Sequence, residues 1–271
     1  RQIAIKKGLK INEYGVFRGE KFLVGKTEEE IFKLLRMPYI QPELREDNGE
    51  IELAQKSKLP QLIELKDIKG DLHAHSDWSD GGNSIEEMVA ACRKRGYFYV
   101  AITDHYQSLR VAGGLSSSDL KKKKQQIEKI NKKLKGFRVL YGTEVDIDSG
   151  GNLDYKDELL REFDVVVAAI HSGFKQSKTQ ITKRLVKACK NKYVHIIAHP
   201  TGRLWGTRDA YDIDFEEFLK IAQETNTQLE INAFPQRLDL NDLNCRRAKE
   251  TGVKLALGTD AHTTDQLEAM R

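Results

Sequence analysis

The stretch Ile68-Lys69-Gly70-Asp71-Leu72-His73-Ala74-His75 decides the fold of this chain. Its length and composition are those of a β-strand, and alternation puts His73 and His75 on one face at the strand's carboxyl end. The pattern recurs along the chain. Apolar runs of strand length end at about His75, Asp104, Glu144, His171, His199, Asn232 and Asp260. Helical patterns lie between most of them. Ser84-Ile85-Glu86-Glu87 is a capping box, and Ile85, Met88, Val89 and Cys92 follow at i, i+3, i+4 and i+7. Phe215, Phe218, Leu219 and Ala222 repeat that stripe, and Ile181, Leu185, Ala188 and Cys189 a similar one. Repeated strand–helix units imply an α/β fold with a parallel sheet, and seven of them fit a closed or nearly closed (β/α)7 barrel. An open doubly wound sheet is the competing architecture, although no G-x-G-x-x-G or Walker pattern supports it.

Six of the seven histidines then fall at strand ends: His73, His75, His105, His171, His199 and His262. In a parallel α/β barrel those ends converge on one face, where active sites are built. Carboxylates share the pattern: Glu144 and Asp260 end their own strands, and Asp80 lies in the loop Ser79-Asp80-Gly81. Such a crowd on one rim is costly unless it binds cations. Mixed nitrogen and oxygen donors without thiolate suit Zn²⁺, Mn²⁺ or Fe²⁺, and nine donors are enough for two or three ions. A multinuclear site whose bound hydroxide attacks phosphorus is the usual chemistry of such a cluster. A lone strand-end histidine is more often a capped or solvated residue than a ligand; six together reverse that. His195, four residues before His199, reads as a core or outer-face residue rather than a ligand. Asp77 and Asp104 compete as ligands with their neighbours, and Asp104 is expected behind the ligands, orienting an imidazole. Asp71 is expected there too, or as a purely structural residue, while Asp146 and Asp148 border a loop.

The whole-chain tally bounds these readings. Across 271 residues, 45 Lys plus Arg stand against 41 Asp plus Glu, a net charge of +4 that selects no partner. The length suits one large domain with an appendage, and the composition excludes collagen-like, low-complexity and disulfide-scaffold classes. No apolar run approaches the ~20 residues of a membrane span. Cys92, Cys189 and Cys245 are few and far apart, pointing to a reducing, cytoplasmic setting. The segment 1–45 reads as a hairpin plus a helix opened by Thr27-Glu28-Glu29-Glu30, and 46–65 as a linker with an amphipathic stretch at 59–63. The chain opens without Met and reads as a piece of something longer.

Taken together, Gly70-Asp71-Leu72-His73-Ala74-His75-Ser76, Ser79-Asp80-Gly81, Ile102-Thr103-Asp104-His105, Gly142-Thr143-Glu144 and Thr259-Asp260-Ala261-His262 resemble the successive motifs of the PHP (polymerase and histidinol phosphatase) superfamily. The resemblance covers about residues 66–271 and implies a distorted, TIM-like (β/α)7 barrel with a trinuclear metal site. Ala198-His199-Pro200-Thr201-Gly202-Arg203-Leu204, Glu230-Ile231-Asn232-Ala233 and Arg237-Leu238-Asp239-Leu240 resemble the C-terminal PHP domain of bacterial and archaeal family X DNA polymerases. Leu9-Lys10-Ile11-Asn12-Glu13-Tyr14-Gly15-Val16-Phe17 and Pro38-Tyr39-Ile40-Gln41-Pro42-Glu43-Leu44-Arg45 look like the end of that polymerase's thumb. The family pattern implies one metal on His73, His75, Glu144 and Asp260, with Glu144 bridging to a second on His171 and His199. A third would sit on Asp80, His105 and His262. It further implies manganese-stimulated 3′–5′ exonuclease action with 3′-end and abasic-site processing in DNA repair. The upstream polymerase domains are the implied partner, and this segment alone should not polymerise.

For the substrate, Arg203 and Arg237 are candidate phosphate clamps, since arginine offers bidentate geometry. Lys175 and Arg208 follow strand ends on the same rim. Trp205, and less so Phe174, Tyr211 and Phe234, are candidates to stack on bases. The stretch 121–138 holds nine basic residues and 178–192 is a second basic patch; each reads as a solvated helix face or as a surface that tracks DNA. Rival readings are a histidinol-phosphate-type phosphomonoesterase, a non-catalytic metal-stabilised scaffold of the polymerase, and an amidohydrolase. The last would want a metal-bridging lysine where this chain has Glu144.

Overall fold

The structure, a computed structural model, describes residues 1–105 and 115–270. It divides into two compact units, Arg1–Ile63 and Glu64–Arg271. In the first, α1 (Gln2–Lys6) leads into a three-stranded antiparallel sheet of β1 (Lys10–Asn12), β2 (Gly15–Arg18) and β3 (Lys21–Val24), followed by α2 (Glu28–Leu34). The expected hairpin thus has a third strand, β1, ahead of it. Thr27 caps α2 as expected, accepting the Glu30 N–H at 3.3 Å, but Glu30 reaches back to Lys26 rather than to Thr27, so no reciprocal box forms. Ala4, Leu9, Val16 and Leu35 make this unit's small core. The linker contains a short helix, α3 (Glu50–Gln55), and the stretch at 59–63 is not helical.

In the second unit the seven expected strands all form: β4 (Gly70–Ala74), β5 (Tyr99–Ile102), β6 (Arg138–Asp146), β7 (Val165–Ala169), β8 (Ile196–Ile197), β9 (Gln228–Asn232) and β10 (Leu255–Gly258). They lie parallel in sequence order. The ring closes where the His75 N–H donates to the Ala261 carbonyl and the Asp260 N–H to that of His73, both at 2.8 Å. That closure excludes the open sheet.

Between the strands run α4 (Ile85–Lys94), α5 (Ser117–Lys133), α6 (Asp157–Leu160), α7 (Lys178–Cys189), α8 (Phe215–Thr225) and α9 (Asp242–Thr251). The Ser84–Glu87 box opens α4, and its Ile85, Met88, Val89 and Cys92 are buried as the spacing requires. Strand β7 shows how two cores share one run. Val165, Val167 and Ala169 pack inward with Ala101, Ile196 and Ala198, while Val166 and Ala168 pack outward against the helical layer. Each large apolar side chain buried in that layer contributes ~1.5–3 kcal/mol, and Phe218, fully buried on α8, is among the largest. The closed ring therefore presents every strand's carboxyl end on one rim.

Candidate metal centre

All nine expected donors meet on that rim. Strand β4 supplies His73, the residue directly after it is His75, β6 supplies Glu144, and the turns after β5, β7, β8 and β10 supply His105, His171, His199, Asp260 and His262. Asp80 comes from the turn after β4, where Gly81 is required: a Cβ there would lie 2.6 Å from the Ser76 backbone. His199 and Asp260 are held at φ of +29° and +56°. A side chain in the left-handed region persists only where its surroundings over-determine it, and such residues cluster at functional sites.

Glu144 organises the cluster. Its Oε1 lies 3.2 Å from both His171 Nε2 and His199 Nε2. Its Oε2 lies 3.2 Å from His73 Nε2, 3.5 Å from His75 Nε2 and 3.3 Å from His105 Nδ1. One carboxylate thus faces two groups of imidazoles with its two oxygens. Asp260 Oδ1 adds to the second group, 3.3 Å from His75 Nε2 and 3.5 Å from His73 Nε2. Asp80 Oδ2 sits 3.3 Å from His262 Nε2 and 3.8 Å from His105 Nε2. Three groups have all their donor atoms within 4.8 Å of one another: His73, His75, Glu144 and Asp260; His105, Glu144 and His171; and His75, Asp80, His105 and His262. His75 and His105 each belong to two groups, a sharing that the family pattern does not imply.

The residues fit divalent cations. His73 Nε2, both ring nitrogens of His75 and His105 Nδ1 are buried without a hydrogen-bond partner among the described residues. Such nitrogens cost free energy unless something binds them, and metal–ligand bonds of ~2.0–2.3 Å suit the spacing. Burial depresses His105 to about 4, against the pull of Glu144, and lowers His199. Burial also pushes His73 and His171 down, but Glu230 and Glu144 carry the first well above its ordinary value, and Glu144 and Asp146 carry the second up to about 10. Against their own burial, Glu144 and Asp260 are held well below the carboxylate range by the surrounding imidazoles, and Asp80 falls to about 2 beside His262 and His75.

The supporting residues differ from expectation. Asp104 orients no imidazole: it accepts the Ser76 N–H at 2.6 Å and the Ser76 and Ser79 hydroxyls at 2.8 and 3.0 Å, and it pairs with Lys123 at 2.8 Å. Asp71 acts on backbone, accepting the His73 and Thr259 N–H groups at 3.0 and 3.1 Å. Asp146 does more than border a loop, lying 3.2 Å from His171 Nδ1. Asp148 folds its own loop by accepting the Gly150 and Asn152 N–H groups, and Asp77 joins none of the three donor groups. His195 is exposed and accepts the Val166 N–H at 3.0 Å, away from the donors as expected. The missed residue is Glu230, buried in β9, which contacts His73 Nδ1 through Oε1 and accepts the His199 N–H through Oε2, both at 2.7 Å. Its signals are a glutamate between Leu229 and Ile231 inside an apolar strand and its place in Glu230-Ile231-Asn232-Ala233, a stretch to which the resemblance assigns no role.

Of the expected substrate residues, Arg237 stands nearest the donors. Its Nε donates to Asp260 Oδ2 at 3.0 Å, and its Nη1 is buried without a partner among the described residues. Arg203 is committed to backbone, donating to the Arg237 carbonyl from Nε at 3.0 Å and to the Leu238 carbonyl from Nη2, and it stacks 4.7 Å from the exposed Trp205 ring. Arg208 donates to the Gly202 carbonyl at 2.7 Å and lies 3.8 Å over Phe174, which stacks on the buried Tyr211. Phe174 and Tyr211 are thus packing residues. Lys175 is exposed and Phe234 half-buried. The basic stretches are not uniform faces, since Lys123 and Arg184 within them are fully buried.

The PHP domain matches residues 71–234, and the DNA polymerase beta thumb matches residues 1–46. The chain is 48% identical over 273 residues to a Bacillus subtilis (strain 168) protein named DNA polymerase/3′-5′ exonuclease PolX; the match takes in all of this chain and 48% of that protein, about half its length. It is 33% identical over 205 residues to a protein named probable phosphatase from Thermoanaerobacter sp. (strain X514), covering 72% of this chain and 79% of that one. Among solved structures, the hisK protein of Listeria monocytogenes superposes with a TM-score of 0.61 at 16% identity, over 73% of this chain and 97% of its own. Histidinol phosphate phosphatase of Lactococcus lactis, solved with zinc, L-histidinol and phosphate, gives a TM-score of 0.54 at 19% identity, over 74% and 92%. The chain belongs to the PHP domain family, its barrel preceded by a segment that matches a polymerase thumb.

Proposed function

We propose that this chain is a metal-dependent phosphodiesterase acting on DNA 3′ ends, as a 3′–5′ exonuclease with 3′-end and abasic-site processing in repair. The observation that carries the reading is the nine-donor cluster divided by the two oxygens of Glu144, with the unpartnered Arg237 Nη1 beside it. The name of the Bacillus subtilis relative and the thumb match support DNA as the substrate and the upstream polymerase domains as partner. In this reading His73, His75, Glu144 and Asp260 hold one ion, Glu144, His171 and His199 a second, and Asp80, His105 and His262 a third. Mn²⁺ is the proposed ion for activity, with Zn²⁺ or Fe²⁺ as other occupants of the same donors. Bound divalent ions supply Lewis-acid activation and neutralise charge at phosphorus. The protein's own groups position the substrate. Arg237 Nη1 takes a phosphate oxygen, Arg203 braces the Arg237 backbone from which that contact is made, and Lys175 and Arg208 flank the approach. Trp205, exposed and backed by a guanidinium, offers a face for a base. Burial of Cys92 and Cys189 as free thiols supports the cytoplasmic setting, and no described helix is long and apolar enough to cross a membrane.

The test incubates the protein and His73→Ala with Mn²⁺ on 3′-recessed and single-stranded DNA. Loss of 3′ nucleotides by the parent alone is expected; equal degradation by both, or none by either at metal saturation, refutes the reading. The 33% identity to a relative named probable phosphatase favours a second reading, a phosphomonoesterase of the histidinol-phosphate type. Turnover of small phosphate esters without action on DNA would select it. A purely structural barrel would not need every donor, and here all nine converge.

A further inference from the structure

Four consecutive lysines, 121–124, open the basic stretch on α5, and one of them is not at the surface. Lys123 is fully buried, on the same stripe as Leu120 and Ile127. Its ammonium donates to the Ile102 carbonyl at 2.9 Å and the Gly142 carbonyl at 3.1 Å, and it pairs with Asp104 at 2.8 Å. Asp104 in turn holds the turn after β4 through Ser76 and Ser79, and the Ser79 hydroxyl is also 3.2 Å from Asp80 Oδ1. A continuous run of contacts thus leads from Lys123 through Asp104 and Ser79 to Asp80.

We propose that Lys123 is a positioning residue for one divalent-cation site, the one built from Asp80, His105 and His262. Resting on the metal reading given above, the proposal gives α5 a role in the centre although it supplies no donor. The physical reason is charge. Asp104 is fully buried, and a buried carboxylate keeps its geometry only if something compensates its charge. Without the ammonium, the carboxylate is left uncompensated, and its hold on Ser76 and Ser79 loosens as water is admitted to it. Asp80 lies within that turn, its Oδ1 3.2 Å from the Ser79 hydroxyl that Asp104 holds, so the loss concentrates there; His75, just before Ser76, is fixed independently by its own N–H on the Ala261 carbonyl. His105 shares the dependence, following β5, whose Ile102 carbonyl Lys123 also holds. Apart from His75, which adjoins Ser76, and Glu144, two residues beyond the Gly142 carbonyl, the other donors stand on or after strands that Lys123 does not touch.

The test counts and ranks Mn²⁺ ions bound per chain by titration calorimetry, with circular dichroism to verify folding. Variants are Lys123→Met, Asp104→Asn and the double variant. The expected result is that Lys123→Met weakens one ion at least tenfold and leaves the tightest ion within about threefold. The double variant removes the uncompensated charge while an amide oxygen at position 104 still accepts the Ser76 N–H, and it regains most of the loss. A folded Lys123→Met with every ion unchanged overturns the proposal, as does a double variant no better than the single one. If Lys123→Met does not fold, Asp104→Asn carries the test, and its ions all unchanged overturns the proposal equally. Failure of the parent protein to bind Mn²⁺ refutes the metal reading itself, which keeps the two failures distinct.

Discussion

Replacing Glu230 with glutamine removes one charge and almost no volume, yet it should damage the centre by either of two routes. Glu230 Oε1 meets His73 Nδ1 at 2.7 Å, and Oε2 accepts the His199 N–H at 2.7 Å and the Asn232 amide at 3.1 Å. If the new amide nitrogen takes the Oε2 place, it faces two donors, and the buried His199 N–H is orphaned at a cost of ~1–3 kcal/mol. If it takes the Oε1 place, His73 Nδ1 must accept, and the ring proton moves to Nε2. That nitrogen faces Glu144 and Asp260, and a protonated Nε2 cannot bind a cation. Loss of such an outer partner costs about 10–100-fold in metal affinity, or ~1.4–2.7 kcal/mol. The first route lowers thermal stability by about 2–12 °C for a domain of this size, and the second lowers affinity without it. Calorimetric titration with Mn²⁺ and melting in EDTA distinguish them. A variant whose tightest ion binds within twofold of the parent and whose melting point in EDTA is unchanged would refute the reasoning, because no third placement of the amide satisfies all three neighbours.

Three further outcomes are expected. Burial pushes Asp239 up to about 6, so the folded state holds its proton more tightly than the unfolded chain, in which the group titrates near 3.9. The associated stability is full below about pH 4 and lost as pH rises through about 6, ~3 kcal/mol in all. Urea melts of Asp239→Asn should lack that part of the pH dependence, and an unchanged slope between pH 4 and 7 would contradict the assignment. Arg184 donates to the Ser172 carbonyl and the Gln176 side chain at 2.9 and 2.8 Å, and also to the Ile147 carbonyl. Arg184→Met strands the buried Ile147 carbonyl, removes the hold on Ser172 and Gln176 and should cost ~1–3 kcal/mol, read as a lower denaturation midpoint. Arg237→Ala should lower kcat/KM on DNA about a hundredfold or more, ~2.7 kcal/mol, while Lys175→Ala changes it less than threefold. The reverse ranking would reassign the phosphate contact.

The strands and the nine donors were legible because each is a local signal: an apolar run with a histidine or carboxylate at its end requires no knowledge of what packs where. Glu230, Lys123 and Arg184 were not, for the opposite reason. A charged residue in an apolar stripe looks like a surface residue until the element that covers it is known. Asp104 illustrates the limit. The strand ends at Ile102, two residues short of it, and its carboxylate meets Ser76, Ser79 and a lysine from a helix nineteen residues later, none of which the local sequence announces.

Lys123 and Arg184 nevertheless share a regularity. Each is the seventh residue of its helix, counting from Ser117 in α5 and from Lys178 in α7, and each sits on the buried stripe. In this barrel a helix starts near the carboxyl rim and runs back along the strands, so its seventh residue lies about 9 Å down the axis at 1.5 Å per residue. A lysine or arginine there is long enough to reach back up to the carbonyls at strand ends. Lys123 takes those of Ile102 and Gly142, between β5 and β6; Arg184 takes those of Ile147 and Ser172, between β6 and β7. The two cations thus flank β6, the strand that carries Glu144. A basic residue on the apolar stripe two turns into a barrel helix is therefore better read as a cap on strand-end carbonyls than as part of a solvated face, even inside a run of four lysines.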